Sequence, residues 1–459
     1  MKVFFLSALA AIGLVVGVGC TSHGPLPPFP TSSSTHSISM KPAGATAPPG
    51  LSHVLTSDYL LNATASTPFS TYAKYLTYAF VPIGLGGKVK SLGIKPIYHT
   101  NPLLPICISV NSDGSCSKGD IGFNYLRPGG SFTNIASRDC SGNIIEGYYG
   151  VTKRPLYQLD VLANLSAAQS YFNDAENANA ANIAQANPGV PHAYGYLFVD
   201  GVEPSIYGTT AQQCGMTQAL YYRHAANILS GRFSTGPYIV NGLVATKVAN
   251  EQYKLAILKG SQVVGAEYEL CYGGNHWSPS WPKDWVADTL VHPVWTVAEY
   301  AEVQTIAAHK QFWCLQRMTG DGASYIPARL YTYASFLLTY DPSYGMYETE
   351  LSTPSNLRVF PEQTVVPMHP VTTASDVSGY LQPGGEYARE FYFCYIGGKF
   401  IGECEIVVNP SATATTPVPS GWKSHLVLTG DGVLDGGKAT VVPGVPSSLG
   451  KTTAAILFR

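Results

Sequence analysis

Charged residues are scarce in this sequence. Asp, Glu, Lys and Arg make up 12% of it, about half of the usual share of roughly 25%. The 27 Lys and Arg nearly balance the 29 Asp and Glu, for a net charge of −2, which argues against a nucleic-acid partner. With 30 tyrosines in the chain, the surface must instead be rich in hydroxyl and aromatic groups. This composition suits an extracellular protein that handles neutral polymers.

A low-complexity composition is also absent. The sequence has 46 Gly and 33 Pro among 459 residues. Their combined share is below the roughly 25–30% expected of a low-complexity chain. Disorder of the whole chain and a collagen-like fold are therefore excluded. Apolar residues make up 45%, and the length allows about three domains, or one large barrel with an accessory module.

Metal-binding motifs of cysteine and histidine are missing. The sequence has neither a Cys-x-x-Cys pair nor a His-Glu-x-x-His stretch. We therefore predict no zinc site, and no residue pattern implies an organic cofactor.

An apolar run from Val3 to Gly19 is too short and too rich in glycine for a membrane span, but it has the shape of a signal-peptide core. The following Cys20 completes a segment that resembles a bacterial lipoprotein processing site, although Gly17 stands where that pattern prefers Leu. We predict an exported protein of the cell envelope or exterior, with a signal peptide over 1–20 and a lipid anchor on Cys20. Ordinary cleavage nearby, with no role for Cys20, is the alternative. Residues 21–50 are rich in Ser, Thr and Pro and predict a tether.

The cysteines other than Cys20 form an even set of eight among the nine in the chain, which suits disulfides in an oxidising compartment. Cys394 and Cys404 bracket a hairpin-like segment that would bring the two sulfurs together across paired strands. Cys271 and Cys314 lie near the ends of two candidate strands that could be neighbours.

Short apolar runs alternate with helix-like stretches over residues 51–350, the pattern of repeated β/α units around a parallel sheet. About eight units fit a (β/α)8 TIM barrel better than an open sheet. The predicted strands are Tyr75–Val81, Ile94–Thr100, Pro155–Val161, Tyr194–Asp200, Tyr238–Leu243, Gln262–Leu270, Gln311–Gln316 and Gly345–Glu350. The predicted helices include Ala167–Ala186, Thr217–Ser230, Pro293–Lys310 and Ile326–Thr339.

Two segments depart from this alternation. Residues 101–150 are irregular and carry three cysteines, which predicts a loop over the mouth of the barrel. Residues 351–459 lose the helical period and read as a C-terminal antiparallel, β-sandwich-like domain. Its predicted strands include Tyr387–Tyr395, Phe400–Val408, His425–Leu428 and Thr453–Phe458.

Acidic residues close two of the predicted strands. Barrel enzymes carry their catalytic groups at the carboxyl ends of the strands, and one apolar run ends at Asp200 while another ends with Glu267 and Glu269. The period of two places both glutamates on one side of their strand. A carboxylate buried in a strand without partners is costly, which favours a polar, site-like environment for them.

Asp200 and Glu269 form the leading catalytic pair, with Glu267 as a further candidate. Hydrolysis of a glycosidic bond requires one protonated carboxyl, which donates to the leaving oxygen, and one ionised carboxyl, which attacks or activates water. The alternative is that these acids cap loops or pair with Arg and Lys.

Other polar and aromatic residues near strand ends are candidates for binding sugar hydroxyls and sugar rings. The aromatic ones fall in one loop after the sixth predicted strand, where the alternative is that their rings pack the loop onto the barrel. The candidate substrate-binding residues are His99, Asp160, Glu203, Asn241, Tyr272, Trp277, Trp281 and Gln316.

Several short motifs resemble those of glycosyl hydrolase-like family 15 and its barrel relatives that act on amino-sugar polymers. The motifs are Gly-Tyr-Leu-Phe-Val-Asp-Gly at 195–201, Val-Asn-Gly at 240–242, Gly-Ala-Glu-Tyr-Glu at 265–269, the stretch 328–338, Arg-Glu-Phe at 389–391 and Val-Val-Asn-Pro at 407–410. The resemblance implies a catalytic barrel with a following module, and it places the family's acids at Asp200 and Glu269. Glu267 departs from the pattern, because that place is usually apolar.

The sequence therefore predicts a glycoside hydrolase that acts on an extracellular polysaccharide or oligosaccharide and contacts the membrane only through its lipid anchor. The alternatives are a non-catalytic carbohydrate-binding protein and a structural protein of the cell surface.

Overall fold

A computed structural model of the chain describes fifteen stretches of residues, all within the compact unit that extends from Thr46 to Arg459. They are residues 53–55, 69–73, 75–150, 153–188, 196–199, 206, 208–229, 238–241, 248–269, 287–288, 292–318, 323–351, 359–373, 377–411 and 413–459. The predicted signal peptide, Cys20 and the predicted tether lie outside these residues.

Eight parallel strands close into a barrel. They are β1 (His53–Leu55), β2 (Leu76–Phe80), β3 (Lys95–Thr100), β4 (Tyr196–Val199), β5 (Tyr238–Asn241), β6 (Val263–Glu269), β7 (Gln311–Met318) and β8 (Gly345–Leu351). Each strand pairs with the next one in chain order, and β8 pairs with β1. The predicted mixed α/β fold is therefore confirmed.

Seven of the predicted strands coincide with β2 to β8, but the strand predicted at Pro155–Val161 is wrong. In that segment only Arg154–Leu156 is extended, and it pairs with Gly147–Tyr149 in a small hairpin. Its apolar residues Leu156, Leu159 and Val161 are buried, because they pack against other apolar residues of the insertion between β3 and α4, such as Leu103, Leu104 and Ile145. Burial alone therefore explains the apolar run.

Helices surround the barrel. They are α1 (Phe69–Tyr72), α2 (Gly86–Ser91), α3 (Ile121–Leu126), α4 (Leu165–Ala186), α5 (Gln218–Leu229), α6 (Val248–Lys254), α7 (Val297–Ala307) and α8 (Ile326–Thr339). Short polar side chains begin two of them: Asn164 accepts hydrogen bonds from Ser166 N and Ala167 N at the start of α4, and Asp120 accepts one from Phe123 N at the start of α3. Such caps satisfy backbone N–H groups that the helix itself leaves unpaired.

The insertion between β3 and α4 is braced by two disulfides. Cys107–Cys116 links the two strands of a hairpin, Cys107–Val110 and Cys116–Gly119. Cys140–Cys214 ties the insertion to the segment before α5, across 74 positions of the chain. Because β3 leads directly into the insertion, the insertion starts at the carboxyl end of the barrel.

A six-stranded antiparallel sheet forms the C-terminal region, as predicted for a β domain. Its strands are β9 (Val365–Pro370), β10 (Tyr387–Ile396), β11 (Lys399–Asn409), β12 (Ser424–Thr429), β13 (Lys438–Pro443) and β14 (Thr453–Phe458), in the order β9-β10-β11-β14-β12-β13. The hairpin of β10 and β11 carries the Cys394–Cys404 disulfide, which confirms the predicted pairing.

Helix α8 is buried between the barrel and this sheet. Eleven of its fourteen residues are buried. On the barrel side, the ring of Tyr333 contacts that of Tyr347 with centroids 5.1 Å apart, and on the sheet side its hydroxyl donates to Val365 O at 2.7 Å. At the end of α8, the buried Arg389 of β10 donates to Leu338 O at 3.0 Å and Tyr340 O at 2.9 Å. Helix α8 thus joins the barrel and the sheet in one hydrophobic core.

Candidate functional site

The inner face of the barrel is fixed by aromatic contacts across it. Trp313 on β7 lies 5.2 Å from Tyr78 and 6.1 Å from Phe80, both on β2, measured between ring centroids. Gln311 on β7 also donates to the Tyr78 hydroxyl at 3.0 Å. Since alternate residues of a strand point to opposite faces, residues 311, 313 and 315 of β7 point inward.

Glu267 on β6 and Glu348 on β8 share this inner face. Paired residues of neighbouring parallel strands point to the same side of a sheet, and the register pairs Glu267 with Trp313 and Leu315 with Glu348. The two glutamates are 4% and 1% exposed. Both carboxyl groups therefore lie inside the barrel, on either side of β7.

The two glutamates also lie at the same level along the barrel axis. From Glu348, hydrogen-bonded pairing leads to Val54 on β1 and on to Tyr78 on β2. Tyr78 pairs in turn with Lys95, the first residue of β3. Each successive paired residue in this direction therefore lies nearer the amino end of its own strand. The descent is about one residue per strand in an eight-stranded barrel. The residue of β8 level with Glu267 is therefore Glu348, two positions beyond its aligned partner Met346.

A layer of this kind is usually filled by branched apolar side chains. Two carboxyl groups in such a position are costly to bury unless polar groups surround them. This pattern is typical of a functional site, because catalysis and ligand binding need charged groups that are held away from bulk water.

Asn241 and His99, two of the predicted binding residues, share the inner face with these acids. Asn241 ends β5 and pairs in register with Glu267. Ile97 of β3 pairs with Phe80, whose ring faces Trp313, so His99, two residues further on, also points inward. His99 is partly exposed, which places it toward the open, carboxyl end of the barrel.

Two predicted binding residues lie elsewhere. Asp160 does not end a barrel strand: it lies in a turn of the insertion, where its carboxylate accepts hydrogen bonds from Leu162 N at 2.8 Å and from the Gln213 side chain. Gln316 lies on β7, five positions from the inward-pointing Gln311, so it points outward toward the helices and is fully buried there. The alternation of side chains along β7 therefore separates Gln316 from the mouth.

The remaining predicted site residues are not covered by the described side chains. Glu269 is described by its backbone alone: it is the last residue of β6 and pairs with Leu315. Asp200, Glu203, Tyr272, Trp277 and Trp281 lie outside the described residues.

Sequence reasoning missed Glu348, although its strand was predicted. A signal for it exists in the chain: Glu-Tyr-Glu-Leu at 267–270 recurs as Glu-Thr-Glu-Leu at 348–351. Both segments sit at the end of a barrel strand, β6 in one case and β8 in the other. The repeat places an inward glutamate at matching levels of two alternate strands.

The described residues contain neither a candidate metal site nor a candidate membrane-spanning helix. Within the described ranges, no group of three or more His, Cys, Asp and Glu side chains is placed to hold a metal ion. None of the helices in this part of the chain is long and apolar enough to span a bilayer. The disulfides are compatible with an exported protein.

No protein-family model matches this chain, and a search of the curated proteins found no match. Among solved structures, the glycoside hydrolase domain of PelA from Pseudomonas aeruginosa is 10% identical over 65% of this chain and 95% of its own, with a TM-score of 0.36. An alpha-galactosidase from Thermus thermophilus is 13% identical over 77% and 66%, with a TM-score of 0.37. A debranching enzyme from Nostoc punctiforme is 11% identical over 90% and 98%, with a TM-score of 0.38. Because these TM-scores are below 0.5, the likenesses do not assign a function to this chain.

Proposed function

We propose that this protein is a TIM-barrel glycoside hydrolase that cleaves an extracellular polysaccharide at the carboxyl ends of its barrel strands. The observation that carries the proposal is the pair of buried glutamates, Glu267 and Glu348, at one level of the barrel interior. Asn241 pairs in register with Glu267, and His99 faces the same interior from β3; both offer hydrogen-bonding groups suited to sugar hydroxyls.

The proposed reaction needs two carboxyl groups at the scissile bond. One donates its proton to the glycosidic oxygen as that bond to the anomeric carbon breaks, and the other attacks the anomeric carbon or removes a proton from the water that does. The net change adds water across the bond. We assign these roles to Asp200 and Glu269.

Glu269 ends β6 two residues beyond Glu267, about 6–7 Å along the strand toward the mouth. In the proposal, Glu267 and Glu348 form the floor beneath the sugar, where a carboxyl in its ionised form favours the positive charge that develops on the sugar ring. Glu267 is the further candidate for direct catalysis.

The proposed setting is the outside of the cell. The signal peptide over 1–20 and a lipid anchor on Cys20 would hold the barrel at the envelope through the tether at 21–50. The low charge of the chain fits a neutral polymer as the substrate.

Release of reducing ends from a panel of polysaccharides by the processed protein tests the proposal. D200N and E269Q should each lower kcat by about 100-fold or more, because each removes one half of the proton-transfer or nucleophilic machinery. E267Q and E348Q should lower it less, and D174N, an exposed acid on α4, should leave it unchanged.

Azide added to the D200N and E269Q variants separates their roles. A glycosyl azide of inverted anomeric configuration would identify the residue that attacks the sugar or activates water, and one of retained configuration would identify the acid/base residue. Wild-type protein that binds a polymer but releases no reducing ends from it would overturn hydrolysis and leave the carbohydrate-binding alternative.

A further inference from the structure

A cavity of 340 Å³ lies beside the barrel mouth, between the end of β3, the loop after β2, helix α4 and the insertion. Its volume falls in the range of small-molecule sites, about 300–1,000 Å³. Its walls are branched aliphatic side chains: Ile83, Ile106, Ile108, Ile121 and Ile183. One end is polar and is formed by His99, Thr100, Asp120 and Asn179. On β3, Tyr98 and Thr100 of the outer face and His99 of the inner face all contribute to the lining.

Asp120 brings a carboxylate to the polar end. One of its oxygens accepts a hydrogen bond from Phe123 N at 2.6 Å, and the other accepts one from Ile106 N at 3.0 Å. Each carboxylate oxygen can accept a second hydrogen bond. Asp120 is therefore held rigidly and keeps capacity for a donor in the cavity.

Glu176 of α4 stands behind the same end. Thr100 Oγ1 donates to Glu176 Oε1 at 2.8 Å, and Asn179 Nδ2 donates to Thr100 Oγ1 at 2.9 Å. The second oxygen, Oε2, is buried and accepts no hydrogen bond within the described residues. Two of the groups that line the cavity thus connect it to a second buried carboxyl.

The two carboxyls give this end of the cavity a charge that depends on pH. Burial raises the pKa of Asp120 to about 7, against the opposing effects of the backbone N–H groups and His99. Burial likewise raises the pKa of Glu176 to about 7, against its hydrogen bonds and with a further contribution from Asp120. Both carboxyls are therefore more ionised at pH 8 than at pH 5.5.

Few other charged groups face them. Tyr171 of α4, also nearby, donates its hydroxyl to Pro102 O at 2.6 Å. The basic side chains on the cavity lining are His99 and Arg154. Among the described lining residues Arg154 carries the one permanent positive charge, against the carboxyl of Asp120 on the lining and that of Glu176 behind Thr100.

We propose that this cavity is a second ligand site, specific for a small amphiphile with an aliphatic body and a primary ammonium head. The isoleucine walls match the aliphatic body, since burial of apolar surface is favourable on both sides. An ammonium group offers three donors and the charge that the two carboxylates lack. The site goes beyond the proposed hydrolysis and does not depend on it.

Isothermal titration with octylammonium, 1-octanol and octanoate tests the site in the full-length protein. At pH 8 octylammonium should bind with saturation, octanol about tenfold more weakly and octanoate not at all, because charge complementarity discriminates among equal chains. From pH 8 to pH 5.5, octylammonium affinity should fall about tenfold as the carboxyls take up protons, while octanol affinity stays constant.

Two neutral variants and a matched control test whether Asp120 and Glu176 are responsible for octylammonium binding. D120N keeps a side chain that caps a helix well, and E176Q keeps an oxygen for Thr100, so both should retain the fold, which thermal unfolding checks. Each should lower octylammonium affinity about tenfold and leave octanol unaffected. D113N, an exposed acid of the same insertion that bonds Ser115 N, should change neither.

Absence of saturable octylammonium binding would overturn the proposal, as would equal binding of octanoate. Equal effects of D120N, E176Q and D113N would overturn it too, because a general electrostatic attraction to the protein would then explain the binding. If D120N does not fold, the octylammonium affinity of E176Q alone tests the proposal.

Discussion

Glu176 makes the stability of the folded chain depend on pH. This residue is 1% exposed, and burial raises its pKa from the ordinary 4.5 to about 7. Between these two values the folded chain holds a proton that the unfolded chain releases, so the contribution of Glu176 is fully present below about pH 4.5 and is lost as pH rises to about 7.

We predict that E176Q removes this dependence. Glutamine stays neutral, so the unfolding temperature of E176Q relative to that of the wild type should rise steadily from pH 4.5 to pH 7.5. Thermal unfolding followed by circular dichroism at several pH values measures it. D174N, on the exposed side of the same helix, should keep a constant difference from the wild type. The same constant difference for E176Q would contradict the assigned pKa.

Individual site residues were predictable only where they follow a recognisable strand in the sequence. Glu267, Asn241 and His99 follow apolar runs, and the period of two assigns a face to each. Glu348 lies in an equally clear strand, but periodicity alone does not say which face of a strand looks inward. That choice depends on the contact between Trp313 and Tyr78, which joins residues 235 positions apart in the numbering.

Among the larger elements, the insertion between β3 and α4 depends on its disulfides for order. We predict that C140S/C214S destabilises the protein by about 4 kcal/mol and C107S/C116S by about 3 kcal/mol, because the first bridge closes the longer loop and so restricts the unfolded chain more. The separations are 74 and 9 positions.

Denaturant unfolding of the two double variants under identical conditions measures the difference. Each variant removes one bridge and leaves the other as an internal control. A larger loss from C107S/C116S would show that local strain or packing, and not loop closure, sets the contribution of these bridges.

The elements themselves were largely predictable, and the exceptions have physical causes. Strand β1 has three residues, too few for an apolar period to emerge. The segment Pro155–Val161 has the composition of a barrel strand because it fills the core of the insertion. The helix predicted at Pro293–Lys310 begins later, at Val297, after the extended segment His292–Thr296.

At the scale of the whole molecule, the barrel and the C-terminal sheet share helix α8. We predict that a chain ending at residue 358 does not fold, because one face of α8 would lose its apolar cover and Arg329 would lose its buried partner Glu362, 3.1 Å away. Aggregation and binding of a hydrophobic dye should reveal this. A soluble, cooperatively unfolding truncated barrel would contradict it, and the full chain should unfold in a single transition.

The position of α8 also decides how this architecture can change over evolutionary time. A module that hangs from a linker is exchanged by recombination at that linker, and the donor and recipient keep their own interiors. Here a crossover between residues 351 and 359 would separate the sheet from the helix that completes its core. The sheet is therefore inherited together with the barrel, and an ancestor that lacked it would have needed a different sequence at α8.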